Sequence, residues 1–390
     1  MLGGAEGHLQ DSFWARTFEN AEAFDREQAK LGSFWTLLGV TTDLSHDGDW
    51  FRATLGARSV FVQRFGDDLV GFENVCRHRF YPLRTTDKGN GPIRCGFHHW
   101  QYNKEGVAIG IPKCQEMFGV APRELNARLQ TIEIATCGIL VFGRFSAAEN
   151  TETLEQCLGD AFPIISAMWN LKHAPYYIET PIAANWKLCY HITLDDYHIV
   201  AVHRDTFGKG GYLPLDAVRY HRLGLHSAYF YGGEDNEVAR MAEQCRSGTY
   251  RPLNYRIFQL FPNMLTLHFE AERNWYVLIQ QYVPLGPGRS LSRSWYGPAP
   301  FPPVDKNWVD GIYRRVVAPF VPYVVPFYIR KIFHEDNSIC EGIQSVARQI
   351  HAFPILGRHE ERVAWFEDVY AQVFAEAPAS KQGSRPALIR

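Results

Sequence analysis

The 390-residue chain predicts an α+β protein in two parts. A small all-β domain precedes a larger domain built on an antiparallel sheet with helices around it. Three observations predict this. Short alternating strands and turn residues crowd 34–146, long strands recur between 254 and 298, and helical, charged segments stand before the first and after the second. The length itself argues for two cores rather than one.

Residues 1–33 read as a helical segment expected to pack on the second domain. "SVFVQRF" and "LVGFENVC", with Gly66 and Asp67 between them, give a hairpin signal. "RLQTIEIA", Cys137, Gly138 and "ILVFGRF" close the strand-rich stretch near Phe145, and polar "SAAENTETLEQ" follows as a linker. Within 147–390, 185–203 reads as one helix. Strands follow in "NYRIFQLFP", "MLTLHFEA", "WYVLIQQYVPL" and "LSRSWYGP", and helix returns from about Asp305.

A hydrophobic content of 46% and a charged content of 21% describe an ordinary globular chain. The formal net charge of −2 argues against nucleic acid as a partner. Eight cysteines are too sparse for a disulfide scaffold, and the acidic N-terminus lacks an apolar signal core, so a cytoplasmic location is expected. The longest apolar run, 316–329, is too short to span a bilayer. Its prolines, Pro319, Pro322 and Pro326, are expected to break a helix. Buried core or an apolar lid is the expectation there.

Two clusters of metal-ligating residues stand out. "CRHRFYPLRTTDKGNGPIRCGFHH" concentrates two cysteines and three histidines in one turn-rich stretch, when the whole chain has 8 Cys and 15 His. Cys76 and His78 form one pair, Cys95 and His98 the other. Structural zinc is the competing reading, but zinc ribbons favour Cys-x-x-Cys pairs or a helical His arm. A mixed pair from each loop suits a two-iron cluster with both cysteines on one iron and both histidines on the other. The second cluster lies in "ANWKLCYHITLDDYHIVAVH". His198 and His203, five residues apart, sit ~140° around a regular helix, so a shared metal requires a kink or π-bulge.

The residues around both clusters resemble the Rieske non-haem iron oxygenases, the aromatic-ring-hydroxylating dioxygenase family. The Rieske signature falls on Cys76, His78, Arg79, Cys95, Phe97, His98, Trp100, Tyr102 and Gly106, with His99 where the family usually has Gly. The mononuclear-iron signature falls on Asn185, Trp186, Lys187, Asp195, Tyr197, His198 and His203. "FHEDNSICEGIQ" matches the downstream acidic stretch and gives Asp336 as the third ligand. Glu335 is the alternative, and Glu341 reads as a helix-face residue. Tyr190 and His191 replace the Glu-Asn of many members. On a continuous helix His191, Asp195 and His198 share one face, so His191 is either a pocket contact or an internal histidine.

The resemblance implies the catalytic α subunit, with a Rieske domain at 34–146 and a helix-grip catalytic domain at 147–390. It implies a [2Fe–2S] cluster on Cys76, His78, Cys95 and His98, whose two histidines raise its potential into the range of about −150 to +300 mV. It implies Fe(II) on His198, His203 and Asp336, with O2 as co-substrate. Electrons from NAD(P)H come through a separate ferredoxin or flavin reductase, since the chain shows no flavin or nucleotide motif. The expected reaction is mono- or dihydroxylation of a small, apolar aromatic or alicyclic compound. O- or N-demethylation is the alternative; a Rieske electron carrier or a zinc module is disfavoured. Two abutting domains of this size put the sites roughly 30 Å apart in one chain, too far for catalytic electron transfer. The family's head-to-tail homotrimer, without a β subunit, closes that gap, with Asp195 bridging His198 to His98 of the next chain. The pocket is expected to be largely apolar; the sequence does not decide whether Arg273 or His268 meets a substrate carboxylate.

Overall fold

The computed structural model describes residues 17–147, 150–206, 217–271, 273–301, 308–317, 320–350 and 354–374. Two compact units divide the chain, Glu27–Cys157 and the remainder, which resumes at Leu158.

The first unit holds strands β1 (Thr36–Val40), β2 (Asp49–Leu55), β3 (Arg58–Phe65), β4 (Asp68–Glu73), β5 (Lys88–Asn90), β6 (Ile93–Arg94), β7 (Gln101–Tyr102), β8 (Ala108–Gly110), β9 (Thr131–Cys137) and β10 (Leu140–Arg144). Seven form an antiparallel sheet in the order β1-β10-β9-β4-β3-β2-β5, and β6-β7-β8 form a second. The expected hairpin is present: Phe65 pairs with Asp68 across Gly66, whose φ of 58° is the left-handed conformation the turn needs. Strand β3 is buried on both faces because its side chains alternate between two cores. Val60 and Val62 join Leu38, Phe51 and Val141, whereas Phe61 joins Phe72, Leu83, Trp100 and Tyr102. That second core also contains Cys76 and Cys95. The stretch expected as a linker is tied down in this unit, since Asn150 donates to Ser33 O (2.8 Å) and accepts from Arg144 (2.9 Å).

The second unit carries β11 (Tyr176–Ile182), β12 (Val218–Leu223), β13 (His226–Tyr231), β14 (Arg256–Leu260), β15 (Met264–Ala271), β16 (Asn274–Gly286) and β17 (Arg289–Pro298). They form one antiparallel sheet in the order β11-β17-β16-β15-β14-β13-β12. Four helices bear on the site: α1 (Trp186–His191), α2 (Ile199–Val202), α3 (Val321–Ser345) and α4 (Glu361–Phe374). Asn185 starts α1 by accepting from Lys187 N–H at 3.0 Å. It also donates to Pro287 O at 2.5 Å and to Thr17 O at 3.3 Å. From α3, Gln344 accepts the Asn185 N–H at 2.9 Å, Glu341 accepts the Ala183 N–H at 3.0 Å, and the Cys340 thiol donates to Leu188 O at 3.6 Å. The helix-face reading of Glu341 thus acquires a partner, and α3 is keyed onto α1.

Two expectations are corrected. The single helix over 185–203 is three pieces: α1, a 3-10 turn at Ile192–Leu194, and the one-turn α2. The interruption falls at Asp195, whose backbone is extended (φ −121°, ψ 160°). The apolar run 316–329 is divided as expected, one helix (Trp308–Val317) ending within it and α3 starting at Val321 with Pro322 in its first turn. Pro326, however, does not break α3, and the run is not buried. Pro326 lies inside α3 only one turn from its start, where it removes a single hydrogen bond. Val325 and Ile329 are buried, but Val316, Phe320, Val324, Phe327 and Tyr328 are exposed; Pro319 lies outside the described residues. Among the described residues no helix is long and apolar enough to cross a membrane.

Replacing Asn185 by Ala leaves the buried Lys187 N–H and the partly buried Pro287 carbonyl without their partner. The expected loss is about 2–4 kcal/mol, read as a lowered thermal midpoint for the second unit.

Candidate metal centres

The two ligand loops of the first unit share one construction. In one, Cys76 N–H donates to Tyr81 O (2.9 Å) and Phe80 N–H returns to Cys76 O (3.0 Å). In the other, Cys95 N–H donates to Trp100 O (2.9 Å) and His99 N–H returns to Cys95 O (3.0 Å). Phe80 and His99 occupy equivalent positions and both have φ 59°. That left-handed step turns each chain back toward the metal, and it explains why glycine suits the place His99 fills.

Both thiols are buried. Burial pushes the Cys76 thiol up, while the Tyr102 hydroxyl, 3.2 Å from its sulfur, pulls the other way. Tyr102 is itself fixed by the Arg77 N–H at 3.1 Å, and Phe97 N–H reaches the Cys95 sulfur at 3.5 Å. The His78 and His98 rings lie 4.5 Å apart, and His78 stacks flat on Trp100 at 4.8 Å. Burial lowers the His78 pKa, which keeps the ring neutral, and its Nδ1 has no hydrogen-bond partner among the described residues. Two buried thiols and two imidazoles brought together, one with an orphaned ring nitrogen, fit a cluster with two thiolate and two histidine ligands.

The second centre is assembled across the break. His198 Nε2 and His203 Nε2 lie 3.6 and 3.0 Å from Asp336 Oδ1, and the three donor atoms all fall within 4.8 Å of one another. Asp336 Oδ1 is nonetheless buried without a hydrogen bond. A buried carboxylate oxygen that faces two ring nitrogens yet accepts no hydrogen bond fits a site built for a cation, and the 2-His-1-carboxylate set is the one iron oxygenases use. Each ring is oriented from behind. Asp195 Oδ1 accepts from the His198 backbone N–H (3.0 Å) and sits 3.2 Å from its Nδ1. Glu335 Oε2 sits 2.8 Å from His203 Nδ1 and accepts from the Thr206 hydroxyl at 2.9 Å. Glu335 therefore faces the rear nitrogen of His203, and Asp336 alone of the pair faces the front.

The electrostatics follow. Burial works to lower both histidine pKa values, but Asp195 outweighs it at His198, and Asp336 and Glu335 outweigh it at His203, so both end raised. Burial works to raise Asp195, yet its bonds from His198 hold that carboxyl below the ordinary value. His191 does not share a face with Asp195 and His198, because the extended backbone at Asp195 ends the helical register. It packs against Phe366 at 5.2 Å, and burial drives its pKa to about 3. It is an internal, neutral histidine.

The sheet face that meets this region carries Gln259, whose amide donates to Thr193 O, and Tyr282. Across the strands Gln259, Leu265, Gln280 and Ser294 form one row, and Tyr229, Ile257, Leu267, Leu278 and Tyr296 the next. The face mixes an apolar row with a polar one, where a largely apolar surface was expected. Gln280 donates to Ser292 at 2.8 Å, which satisfies its buried amide, whereas the buried Ser294 hydroxyl has no hydrogen-bond partner among the described residues. His268 lies on the opposite face with Thr266, bonded to Tyr250 (2.7 Å). Arg273 sits in the β15–β16 hairpin over the Tyr313 ring (4.5 Å). Reading the sequence missed the orienting role of Glu335, although its adjacency to Asp336 was visible, and missed Thr206 and Arg362 altogether.

Comparison with known proteins gives two family matches, Ring hydroxylating alpha subunit (catalytic domain) over residues 168–376 and Rieske [2Fe-2S] domain over 34–132. The large oxygenase component of a salicylate 5-hydroxylase from Ralstonia sp. is 28% identical over 255 residues, 60% of this chain and 59% of that one. The oxygenase subunit of a glycine betaine monooxygenase from Pseudomonas aeruginosa is 27% identical over 179 residues, 43% of this chain and 39% of that one. The chain thus spans about half the length of the curated relatives it matches. A crystal structure of naphthalene 1,2-dioxygenase from Rhodococcus sp. bound to indole superposes with a TM-score of 0.72 at 21% identity, covering 95% of this chain and 97% of that one. At that identity the likeness is one of fold.

His99 is exposed, makes no side-chain hydrogen bond among the described residues, and holds a positive φ. His99→Gly relieves about 1–2 kcal/mol of backbone strain against roughly 0.5–1 kcal/mol of added chain entropy. A net gain of a few tenths to 1 kcal/mol is expected, read as a higher denaturant midpoint for loss of cluster colour.

Proposed function

Since the chain belongs to the ring-hydroxylating alpha-subunit family, with a Rieske [2Fe–2S] domain and a mononuclear-iron catalytic domain, we propose that it is the terminal oxygenase of a multicomponent system that hydroxylates a small, mainly apolar aromatic or alicyclic compound. The observation that carries this reading is the convergence of His198 Nε2, His203 Nε2 and Asp336 Oδ1, with a separate carboxylate behind each ring. Cys76, His78, Cys95 and His98 would hold the cluster; His198, His203 and Asp336 would hold the iron. When bound, the cluster would supply single electrons and the iron would supply O2 activation.

The chain's own residues do the rest. Asp195 and Glu335 hold the Nδ1 protons of His198 and His203, which leaves each Nε2 lone pair for the metal. Against a cluster-bound Cys76 thiolate, the Tyr102 hydroxyl, 3.2 Å from the sulfur, would be the donor and would favour the reduced, more negative cluster. The Ile257, Leu267 and Leu278 row offers an apolar surface on the sheet face that meets the site. Electrons would come from NAD(P)H through a separate ferredoxin or flavin reductase.

The reading extends to a head-to-tail homotrimer in which one chain's cluster serves its neighbour's iron. Two features support it. Asp195 makes both of its contacts to His198 through Oδ1, so Oδ2 is available to a neighbour. His98 is partly exposed, and Arg79, 2.8 Å from its Nε2, would add a positive charge to receive that carboxylate.

A substrate screen coupled to NADH and O2 consumption with a surrogate reductase tests the activity. Hydroxylated product is expected from wild type, and Asp336→Ala should stay reducible but form none; formaldehyde release would move the assignment to a demethylase. Tyr102→Phe removes about 1 kcal/mol of hydrogen bonding to the reduced cluster and should lower its potential by roughly 45 mV. An unchanged potential in voltammetry contradicts that role. For the ring, inactive Cys95→Ser and Asp336→Ala chains are co-assembled. Partial recovery of turnover is expected, and mixed rings that form but stay inactive rule out transfer between subunits.

A further inference from the structure

Building on the mononuclear centre proposed above, we infer that Arg362 of α4 is a positioning residue for it, acting through Asp196 on the backbone that aims Asp195 at His198. The extended backbone at Asp195 sends consecutive side chains to opposite sides. Asp195 turns to His198, and Asp196 turns to Arg362, whose Nη2 donates to its Oδ2 at 3.3 Å. Arg362 is 1% exposed. Its guanidinium lies 5.0 Å from the Tyr229 ring centroid and 5.4 Å from that of Tyr220. Its Nε and Nη1 have no hydrogen-bond partner among the described residues, so two aromatic faces and one carboxylate hold the charge.

The cage closes on itself. Tyr220 Oη donates to His359 O at 3.0 Å, in the 3-10 turn Arg358–Glu360 that leads into α4. Strands β12 and β13, α4 and the interrupted segment therefore meet at one buried cation. That segment belongs to no strand, and side chains grip it on either side of Asp195: Gln259 at Thr193 and Arg362 at Asp196. Helix α4 has independent anchorage, with Phe366 against Tyr190 (4.8 Å) and Trp186 (6.1 Å). Losing Arg362 should therefore loosen the segment and its histidine before it loosens the helix.

The test uses full-length Arg362→Met and Asp196→Asn, each carrying its iron–sulfur cluster. Both are titrated with Fe(II) and examined as nitric-oxide adducts by electron paramagnetic resonance. The expected result is unchanged cluster absorption, Fe(II) affinity lower by about tenfold or more, and the same altered rhombicity in both. The double variant should be no worse than the worse single, since the two act as one unit. Arg362→Lys should recover only part, because lysine lacks the planar group that stacks on two rings. Wild-type affinity and line shape in folded Arg362→Met overturn the inference, as do additive losses in the double variant. If Arg362→Met does not fold, the near-isosteric Asp196→Asn decides, and wild-type behaviour there overturns it. His203→Ala separates the two levels. Retained Fe(II) binding in that variant removes the centre itself, whereas loss there beside wild-type Arg362→Met removes only the role of Arg362.

Discussion

The pairing of each histidine of the candidate metal site with its own rear carboxylate is the interaction on which the second unit's site depends. Asp195 stands behind His198 and Glu335 behind His203, so both Nε2 atoms turn toward Asp336. The result is three carboxylates around two imidazoles in a mostly buried pocket. Burying that much negative charge is costly unless a cation compensates it. A divalent metal held by the two Nε2 atoms and Asp336, as proposed, would supply the compensation, and the rear carboxylates would then raise the basicity of the ligands.

Much of the surrounding structure serves that pairing. The interruption at Asp195 frees the His198 backbone N–H, which a continuous helix would give to the Leu194 carbonyl, so that the Asp195 carboxylate accepts it while facing the ring. Helix α3 delivers Glu335 and Asp336 as neighbours, and Glu341 and Gln344 farther along it cap the start of α1. The same helix thus carries the carboxylate that faces both histidines and holds the element that leads to them. A shift of either helix would change both at once, which makes the Asn185 and Gln344 contacts part of the site's support as well as of the fold. In the other unit the two copies of the ligand loop do the equivalent work, with Phe80 and His99 in matched left-handed positions.

The two-part α+β layout was legible because short runs of β-branched and aromatic residues between turn residues mark strands, and β3 reads as a continuous apolar run at Val60–Val62 because both its faces are buried. The candidate site residues stood out in the sequence because metal-ligand chemistry restricts the residue types: mixed Cys/His pairs, and a His pair with a downstream acidic stretch. What the sequence did not carry were backbone facts. Asp195 leaving the helix depends on Gln259 and Arg362, which lie 64 and 167 residues away in sequence. The face on which His191 falls changed with it. Pro326 was read as a helix breaker, yet its position near the start of α3 makes the loss a single hydrogen bond. The polar row of Gln259, Gln280 and Ser294 was hidden because strand register, not composition, aligns those residues.

The central claim is that one chain holds both a two-histidine, two-cysteine cluster and a separate mononuclear iron. Iron and acid-labile sulfide per chain, measured on reconstituted protein with zinc determined in parallel, test it most directly. The account predicts about three irons for every two sulfides and little zinc. Two irons for two sulfides would leave only an electron carrier, and a chain filled with zinc and free of sulfide would contradict both centres.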